Sequence, residues 1–155
     1  MLSTLALSLL SGQALAATAN TTFSVTATVA ATCTISATNL AFGSYTGALA
    51  NATSTITVTC TNTTGYNVGL DAGLSTGATV TTRKMTGPSG ATLAYALYSD
   101  SAHTVNWGNT VGTDTVSGMG NGSAQTLTVY GQVPAGQFVT PGAYTDTITV
   151  TITYS

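Results

Sequence analysis

The stretch YTDTITVTITY, residues 144–154, decides the fold class of this chain. Single threonines separate its apolar side chains Ile148, Val150, Ile152 and Tyr154. A period of two places these side chains on one face of an extended chain and the threonines on the other, which is typical of a half-buried strand. Threonine suits the exposed face because its β-branched side chain favours a pleated backbone and its hydroxyl group contacts water. We predict a long strand over this stretch.

The same alternation recurs upstream and predicts further strands. They are centred on four groups of apolar residues, namely Ile56, Val58 and Cys60; Val68 and Leu70; Leu93, Tyr95 and Leu97; and Leu127 and Val129. Turn-forming residues separate the strands at 43–44, 62–65, 71–73, 87–90, 118–122 and 141–142. No segment has helical spacing. A chain of 155 residues with this pattern predicts one all-β domain, an antiparallel sandwich or barrel.

The composition excludes several classes of protein. Only 4% of the residues are charged and 43% are hydrophobic, which does not fit a disordered chain or a coiled coil. The two basic residues, Arg83 and Lys84, are too few to neutralise the phosphates of a nucleic acid or an anionic membrane surface. The main body has no apolar run of membrane-spanning length. We therefore expect no nucleic-acid partner and no direct membrane insertion.

Residues able to carry out catalysis are scarce. His103 could act as a base oriented by Asp100, but residues 99–103 read as a loop and no nucleophile elbow accompanies them. Zinc would need more ligands than one histidine and two cysteines provide. Calcium would need acidic residues at loop spacing, which is absent among the four aspartates Asp71, Asp100, Asp114 and Asp146. We expect a protein that is not an enzyme and holds no metal or cofactor.

Three further patterns have structural interpretations. Tyr95, Tyr98 and Trp107 could form an aromatic platform for a sugar, but aromatic residues at strand spacing more often belong to a core. Residues 118–122 predict a flexible loop and not a phosphate-binding loop, because no lysine or helix start follows them. Glycosylation sequons are expected by chance in a chain this rich in Asn and Thr, and they occur at Asn20, Asn51, Asn62 and Asn121.

Residues 1–16 are typical of a secretory signal peptide. A short apolar run contains Leu5, Leu7, Leu9 and Leu10, and residues 14–16 have the small-x-small pattern that predicts cleavage after Ala16. The segment departs from a complete signal because residues 1–4 include no basic residue. A buried N-terminal helix is the alternative.

Export places the two cysteines in an oxidising compartment. Cys33 and Cys60 are then expected to form one disulfide that joins two neighbouring strands. The chain-entropy relation for a loop of this size gives a stabilisation of about 3 to 4 kcal/mol. Two free buried thiols are the alternative.

Two segments lie where a self-sufficient sandwich would not need them. Phe23, Val25, Ala27 and Val29 alternate with polar residues in a spare strand directly after the cleavage site. Residues 147–155 form a last strand without the charge, bulge or proline that normally protects a sheet edge. We expect another strand to cover that edge.

Several ordered blocks together resemble the spore coat protein U domain family, which includes the subunits of archaic chaperone-usher pili. The resemblance covers nearly all of the chain after residue 16. Its blocks are CTI (33–35), LAFGSY (40–45), VTCT (58–61), LDAG (70–73), RKM (83–85), LAYALY (93–98) with Asp100, WG (107–108), VYG (129–131) and GAYTDTITVT (142–151).

The resemblance implies an incomplete immunoglobulin-like β-sandwich, residues 31–155, that lacks its last strand. A periplasmic chaperone would lend a strand, and at an outer-membrane usher the N-terminal segment of another subunit would replace it. Residues 17–30 would then be the donor segment, with Phe23, Val25, Ala27 and Val29 inserted into the groove. The acceptor groove would be lined by Ile148, Val150, Ile152 and Tyr154, a parity that rests on the alternation alone.

These implications predict an exported structural subunit of a surface pilus that supports attachment and biofilm formation. Its partners would be identical or homologous subunits in a head-to-tail polymer, the chaperone and the usher. A tip adhesin is an alternative, although such proteins resemble two-domain chains. A secreted spore-coat or cell-coat protein of the same family is a second alternative, and a small secreted hydrolase that depends on His103 is a third.

Overall fold

The computed structural model describes residues 15–155, so the predicted signal peptide lies almost entirely outside the described residues. The described part contains eight strands and a three-residue 3-10 helix, Pro88–Gly90. The strands are β1 Cys33–Ala37, β2 Ala50–Cys60, β3 Gly65–Leu70, β4 Arg83–Thr86, β5 Thr92–Tyr98, β6 Val116–Met119, β7 Ala124–Val133 and β8 Val150–Tyr154. No helix in residues 15–155 has the length and apolar character needed to cross a membrane.

Two antiparallel sheets pack face to face around one core. The five-stranded sheet has the order β1-β2-β7-β5-β4, and the three-stranded sheet has the order β6-β3-β8. Strand side chains that alternate toward the interface are almost fully buried, namely Ile56, Val58, Val68, Leu70, Leu93, Leu97 and Val129, and Trp107 from the loop after β5 is buried with them. The predicted all-β sandwich is confirmed, and its strands β2, β3, β5 and β7 lie where the alternation placed them.

Two short regions differ from the prediction. Strand β4 was not expected, because its sequence RKMT does not alternate between apolar and polar residues. The predicted flexible loop at 118–122 is wrong at its start, since Gly118 and Met119 close β6 and pair with Tyr66 and Gly65 of β3. Gly118 is suited to this position because an added Cβ atom would clash with the ring of Tyr66.

The predicted long strand over 144–154 is present only in its second half. Ladder pairing with β3 begins at Val150, opposite Leu70, and the preceding residues make one isolated bridge, between Thr145 and Thr86. The amides of Thr147 and Thr149 are bonded to aspartate side chains rather than to a neighbouring strand. Alternation therefore continues through 144–149, although the backbone there forms only the bridge to β4 and isolated hydrogen bonds instead of a continuous ladder.

The disulfide was predicted correctly. Cys33 and Cys60 are direct partners across the antiparallel pair β1–β2, with their Cα atoms 4.1 Å apart. Residue 33 begins β1 and residue 60 ends β2, so the bond closes the open end of this strand pair.

Reduction of this disulfide is expected to lower the free energy of unfolding by about 3 to 4 kcal/mol, because the cross-link limits the freedom of the unfolded chain. Urea unfolding of the oxidised protein and of the Cys33→Ala/Cys60→Ala variant would measure the difference. Equal midpoints would contradict a stabilising role for the bond.

Residues 15–32 belong to no strand and are exposed. Within this segment, 87% of the surface of Phe23, 83% of Val25 and 85% of Val29 are accessible. The alternation had predicted a half-buried strand here. The domain's own sheets do not take up this segment, since β1 starts only at Cys33 and is already paired with β2.

Candidate functional site

The two sheets come together at a pair of edges where the sandwich is open. Strand β1 is an edge of the larger sheet, β8 is an edge of the smaller one, and the two strands lie next to each other. Within residues 15–155, β8 pairs only with β3, so its other side carries no strand. A groove runs along this opening between a first wall, residues 37–47, and a second wall, residues 144–150, and it continues between residues 40–47 and residues 137–144.

The groove consists of two adjoining cavities of about 580 and 770 Å³. Both cavities share lining residues from the first wall and from β4, and much of the surface is apolar. The side chains that define it include Leu40, Phe42, Met85, Tyr144, Ile148 and Val150. Below them lie buried core residues of both sheets, so the groove opens directly onto the hydrophobic core.

The first wall is held against the larger sheet by packing. An added Cβ atom on Gly131 of β7 would lie 2.8 Å from Leu40 and 2.9 Å from Phe42, so glycine provides the space these side chains occupy. The ring of Phe42 meets the ring of Tyr95 edge-on, with centroids 6.1 Å apart. At the far end, the Tyr45 hydroxyl donates a 2.6 Å hydrogen bond to the carbonyl of Pro134.

The second wall is held by two aspartates. Asp71, directly after β3, accepts hydrogen bonds from the backbone amides of Gly73 and Thr149. Asp146, in the wall itself, accepts from the amide of Leu74 at 2.8 Å and from the Tyr95 hydroxyl at 2.7 Å. Asp71 thus reaches from the 71–74 loop to the wall, and Asp146 reaches from the wall back to this loop.

These contacts shift two pKa values. Burial raises the pKa of Asp71, but hydrogen bonds from Thr149 and Gly73 and the charge of Arg83 outweigh it, so the pKa lies below its usual value. Burial raises the pKa of Tyr95 far above its usual value, and its hydrogen bond to Asp146 acts in the same direction. Tyr95 is therefore a neutral hydrogen-bond donor at the groove.

The lowered pKa of Asp71 predicts that acid loosens the second wall. Because the folded-state pKa is below the unfolded one, the stabilisation is present above the usual value of 3.8 and is lost as the pH falls through the folded-state pKa. We expect Asp71→Asn to lower the melting temperature at neutral pH and to lower it less below about pH 3. Melting temperatures of both proteins between pH 2 and 7 would test this, and parallel curves would contradict it.

The residues predicted to line an acceptor groove have different positions. Ile148 and Val150 line the 580 Å³ cavity and pack partly buried against the core. Ile152 packs against the core beyond the cavity, and Tyr154 is 43% exposed. The first wall was missed by the sequence analysis, although its block LAFGSY contains apolar residues at alternate positions 40 and 42.

A buried cation lies behind the groove and was also missed. Arg83 has no exposed surface, and its guanidinium donates to the backbone carbonyls of Leu70, Asp71, Val80 and Trp107 at 2.6–2.9 Å. Burial lowers the pKa of this group. The four carbonyls come from segments that lie apart in sequence, so no local pattern could have indicated this role.

Asp100 and His103, the candidate catalytic pair, contact other residues and not each other's side-chain polar groups. Asp100 accepts from the amides of Thr104 and Val105, bonds that hold its pKa below the usual range, and none of its hydrogen bonds within residues 15–155 comes from the His103 ring. That ring packs edge-on against Tyr98, with centroids 5.4 Å apart.

The two other candidate sites are the aromatic sugar platform and a cluster of metal ligands. Trp107 is buried and donates its indole N–H to the carbonyl of Val68, and Tyr95 is buried as well, so the suggested sugar platform does not form. In the described part of the chain, no three potential metal ligands cluster.

Comparison with known proteins identifies the family. The spore coat protein U domain matches residues 19–151, which includes both walls and most of the N-terminal segment. This chain belongs to the spore coat protein U domain family. The matched range also contains both cysteines of the disulfide.

Two known proteins are similar to this chain. "Protein U" of Myxococcus xanthus is 41% identical over 78 residues, which is 50% of this chain and 43% of that protein. A chain of the CsuC–CsuE chaperone–tip adhesion subunit pre-assembly complex, from the archaic chaperone-usher Csu pili of Acinetobacter baumannii, matches with a TM-score of 0.59 and 27% identity. That match covers 81% of this chain and 40% of the other, so this spore coat protein U domain spans less than half of either relative.

Proposed function

We propose that this protein is a structural subunit of a chaperone-usher surface pilus and that it polymerises by donor strand exchange. The observation that carries the proposal is that one chain contains both an exposed alternating segment, residues 17–30, and an open apolar groove. An extended segment that joins a free sheet edge gains backbone hydrogen bonds and places alternate side chains in pockets.

The donor side chains are Phe23, Val25, Ala27 and Val29. Three of them are more than 80% exposed in the isolated chain, so the surface available for burial is large. Transfer of these side chains into an apolar groove contributes about 5 to 8 kcal/mol before the cost of ordering the segment. Completing the neighbour's core therefore drives assembly without a nucleotide.

Donor strand exchange between subunits produces a fibre. Donor and acceptor are different surfaces of the same molecule, so each contact is head-to-tail and leaves one free donor and one free groove. Such contacts continue indefinitely when they do not close into a ring.

The partners are those that the resemblance to archaic chaperone-usher pilus subunits implies. A periplasmic chaperone covers the open edge before assembly, an outer-membrane usher exchanges it for the next subunit, and the product is a fibre on the cell surface that supports attachment and biofilm formation. The likeness to a chain of a chaperone–subunit pre-assembly complex supports a chaperone partner.

Thermal unfolding tests the groove directly. The chain from Ala30 onward is heated with and without a peptide of residues 17–31, and a peptide in which Phe23, Val25 and Val29 are replaced by Thr is the control. We expect only the native peptide to raise the melting temperature, since a ligand at about 100 times its Kd stabilises by about 2.7 kcal/mol. A truncated chain that is stable, monomeric and unaffected by the peptide would disprove donor strand exchange.

A coat protein is the second candidate, and the description of the matched family as the spore coat protein U domain favours it. A coat subunit with a complete sandwich would assemble without using the groove. Electron microscopy of the assembled protein separates the two, because strand exchange produces linear fibres and a coat produces layers.

A further inference from the structure

The outer face of the larger sheet carries an aromatic cluster that lies outside the groove. We propose that Tyr98, His103 and Tyr130 form a platform that binds a neutral polysaccharide. Of the three residues in the sugar platform predicted from the sequence, Tyr98 alone belongs to this cluster, because the other two are buried in the core. The platform lies within one chain, so its ability to bind does not depend on donor strand exchange.

Strand pairing places the two tyrosines side by side. Tyr98 at the end of β5 is the direct partner of Tyr130 in β7, and both alternate with buried residues, so their rings project from the outer face. His103, in the loop after β5, packs edge-on against both rings, with centroids 5.4 Å from Tyr98 and 6.2 Å from Tyr130. The three side chains are only partly buried, so ring surface remains accessible to a ligand.

The loop after β5 holds His103 in a strained backbone conformation. Its φ of 56° lies in the left-handed region, which residues other than glycine rarely adopt. Asp100 fixes the turn, because its carbonyl accepts from the His103 amide at 3.1 Å and its carboxylate accepts from the amides of Thr104 and Val105. Strain of this kind persists only where the surrounding structure holds it, and it is common at ligand sites. Here it keeps the imidazole ring against the two tyrosines.

Polar groups suited to sugar hydroxyls surround the rings. On the same outer face, Thr53 is the direct partner of Tyr130, and Asn51 is the direct partner of Gln132. The Gln132 amide donates to the Asn51 side chain at 3.1 Å, and both amides keep further donors and acceptors for a ligand. Within residues 15–155, the hydroxyls of Tyr98 and Tyr130 have no protein hydrogen-bond partner. The face therefore combines aromatic surface with free neutral donors and acceptors.

The charge of this face favours a neutral ligand. Strands β1, β2, β5 and β7 contain no Asp, Glu, Lys or Arg. Lys84 of β4 shares the face, but it lies opposite Ala94, four residues along β5 from Tyr98. An anionic polymer would therefore gain no ion pair at the platform, whereas the C–H groups of a neutral sugar can pack against the negative face of an aromatic ring.

The shape of the site favours an extended chain of sugars. Sites for single small molecules are concave, and this platform lies on an open sheet face. In the proposed fibre every subunit would repeat the platform, so weak single sites would add up to stronger attachment along one polysaccharide.

Affinity electrophoresis tests the platform. The full chain is run in native gels with and without hydroxyethylcellulose, a neutral glucan, and its mobility is compared with that of a protein that does not bind the polymer. We expect the glucan to retard the chain. His103→Gly removes one ring and suits the left-handed backbone, and Tyr130→Thr removes another ring while keeping a residue that favours strands. Each variant is expected to raise the dissociation constant about tenfold.

Thr57→Ala is the matched control, since Thr57 lies on the same outer face of β2 but four residues from Thr53. We expect this variant to be retarded as the native chain is. Equal mobility of the native chain in both gels would overturn the proposal, and so would equal retardation of the native chain and both platform variants. Stronger retardation by alginate, an anionic polysaccharide, would overturn it by assigning the binding to charge.

Sedimentation checks for a protein partner on the same face. A dimer of the native chain that His103→Gly dissociates would overturn the proposal by assigning the face to a second copy of the chain. A failure of donor strand exchange would leave the gel result unchanged, because a single subunit carries the whole platform. The peptide experiment and the gel experiment therefore fail independently.

Discussion

Val25→Asp is expected to abolish fibre formation while leaving the folded domain unchanged. Val25 is 83% exposed and makes no contact with the core of its own chain, so the substitution costs the isolated subunit little. In a fibre the same residue would enter an apolar groove, where an unpaired carboxylate is disfavoured by several kcal/mol. Electron microscopy and sedimentation would show monomers where the native chain forms fibres, and an unchanged melting temperature of the monomer would show that folding is intact.

Thr26→Asp is the matched control, since it adds the same charge to the opposite face of the same segment. Its side chain would remain in solvent after strand exchange, and we expect fibres to form. If both variants assemble as the native chain does, the 17–30 segment is not the donor. If neither assembles, the charge rather than the position is responsible.

Arg83→Met is expected to lower the free energy of unfolding by about 4 kcal/mol or more, because each buried acceptor left without a donor costs about 1–3 kcal/mol. The substitution removes hydrogen bonds to four backbone carbonyls and cannot replace any of them. Urea unfolding monitored by the fluorescence of Trp107, whose carbonyl is one of the four acceptors, would measure the loss.

Lys84→Met provides the comparison for this effect. Lys84 is the only other basic residue and follows Arg83 in β4, so its side chain points to the opposite face of the sheet. We expect a change within about 0.5 kcal/mol for this variant. Equal losses for the two substitutions would show that removing a positive charge, and not the carbonyl contacts of Arg83, causes the effect.

The strands were the most predictable part of the structure. Alternation over Ile56–Cys60, Leu93–Leu97 and Leu127–Val129 identified β2, β5 and β7, since a strand with one buried face repeats every two residues. The disulfide was predictable from the number of cysteines and the expected export. Strand β4 was not predictable, because the burial of Arg83 depends on backbone carbonyls that distant segments supply.

The groove was only half predictable. Ile148 and Val150 could be named from their alternation, but the first wall could not, because Leu40 and Phe42 are placed by the space above Gly131 of β7. The second wall was expected to be a regular strand, and the side chains of Asp71 and Asp146 bind its amides instead.

By itself, the sequence determined where β2, β3, β5 and β7 lie and which of their residues face the core. Those properties are local, because they follow from a repeat of two residues along the chain. Only the tertiary structure decided that the segment before Cys33 stays outside the sheets and that the opening lies between residues 37–47 and 144–150. The physical reason is that an edge is open or covered according to which strands pair across the whole chain, and no local repeat encodes that pairing.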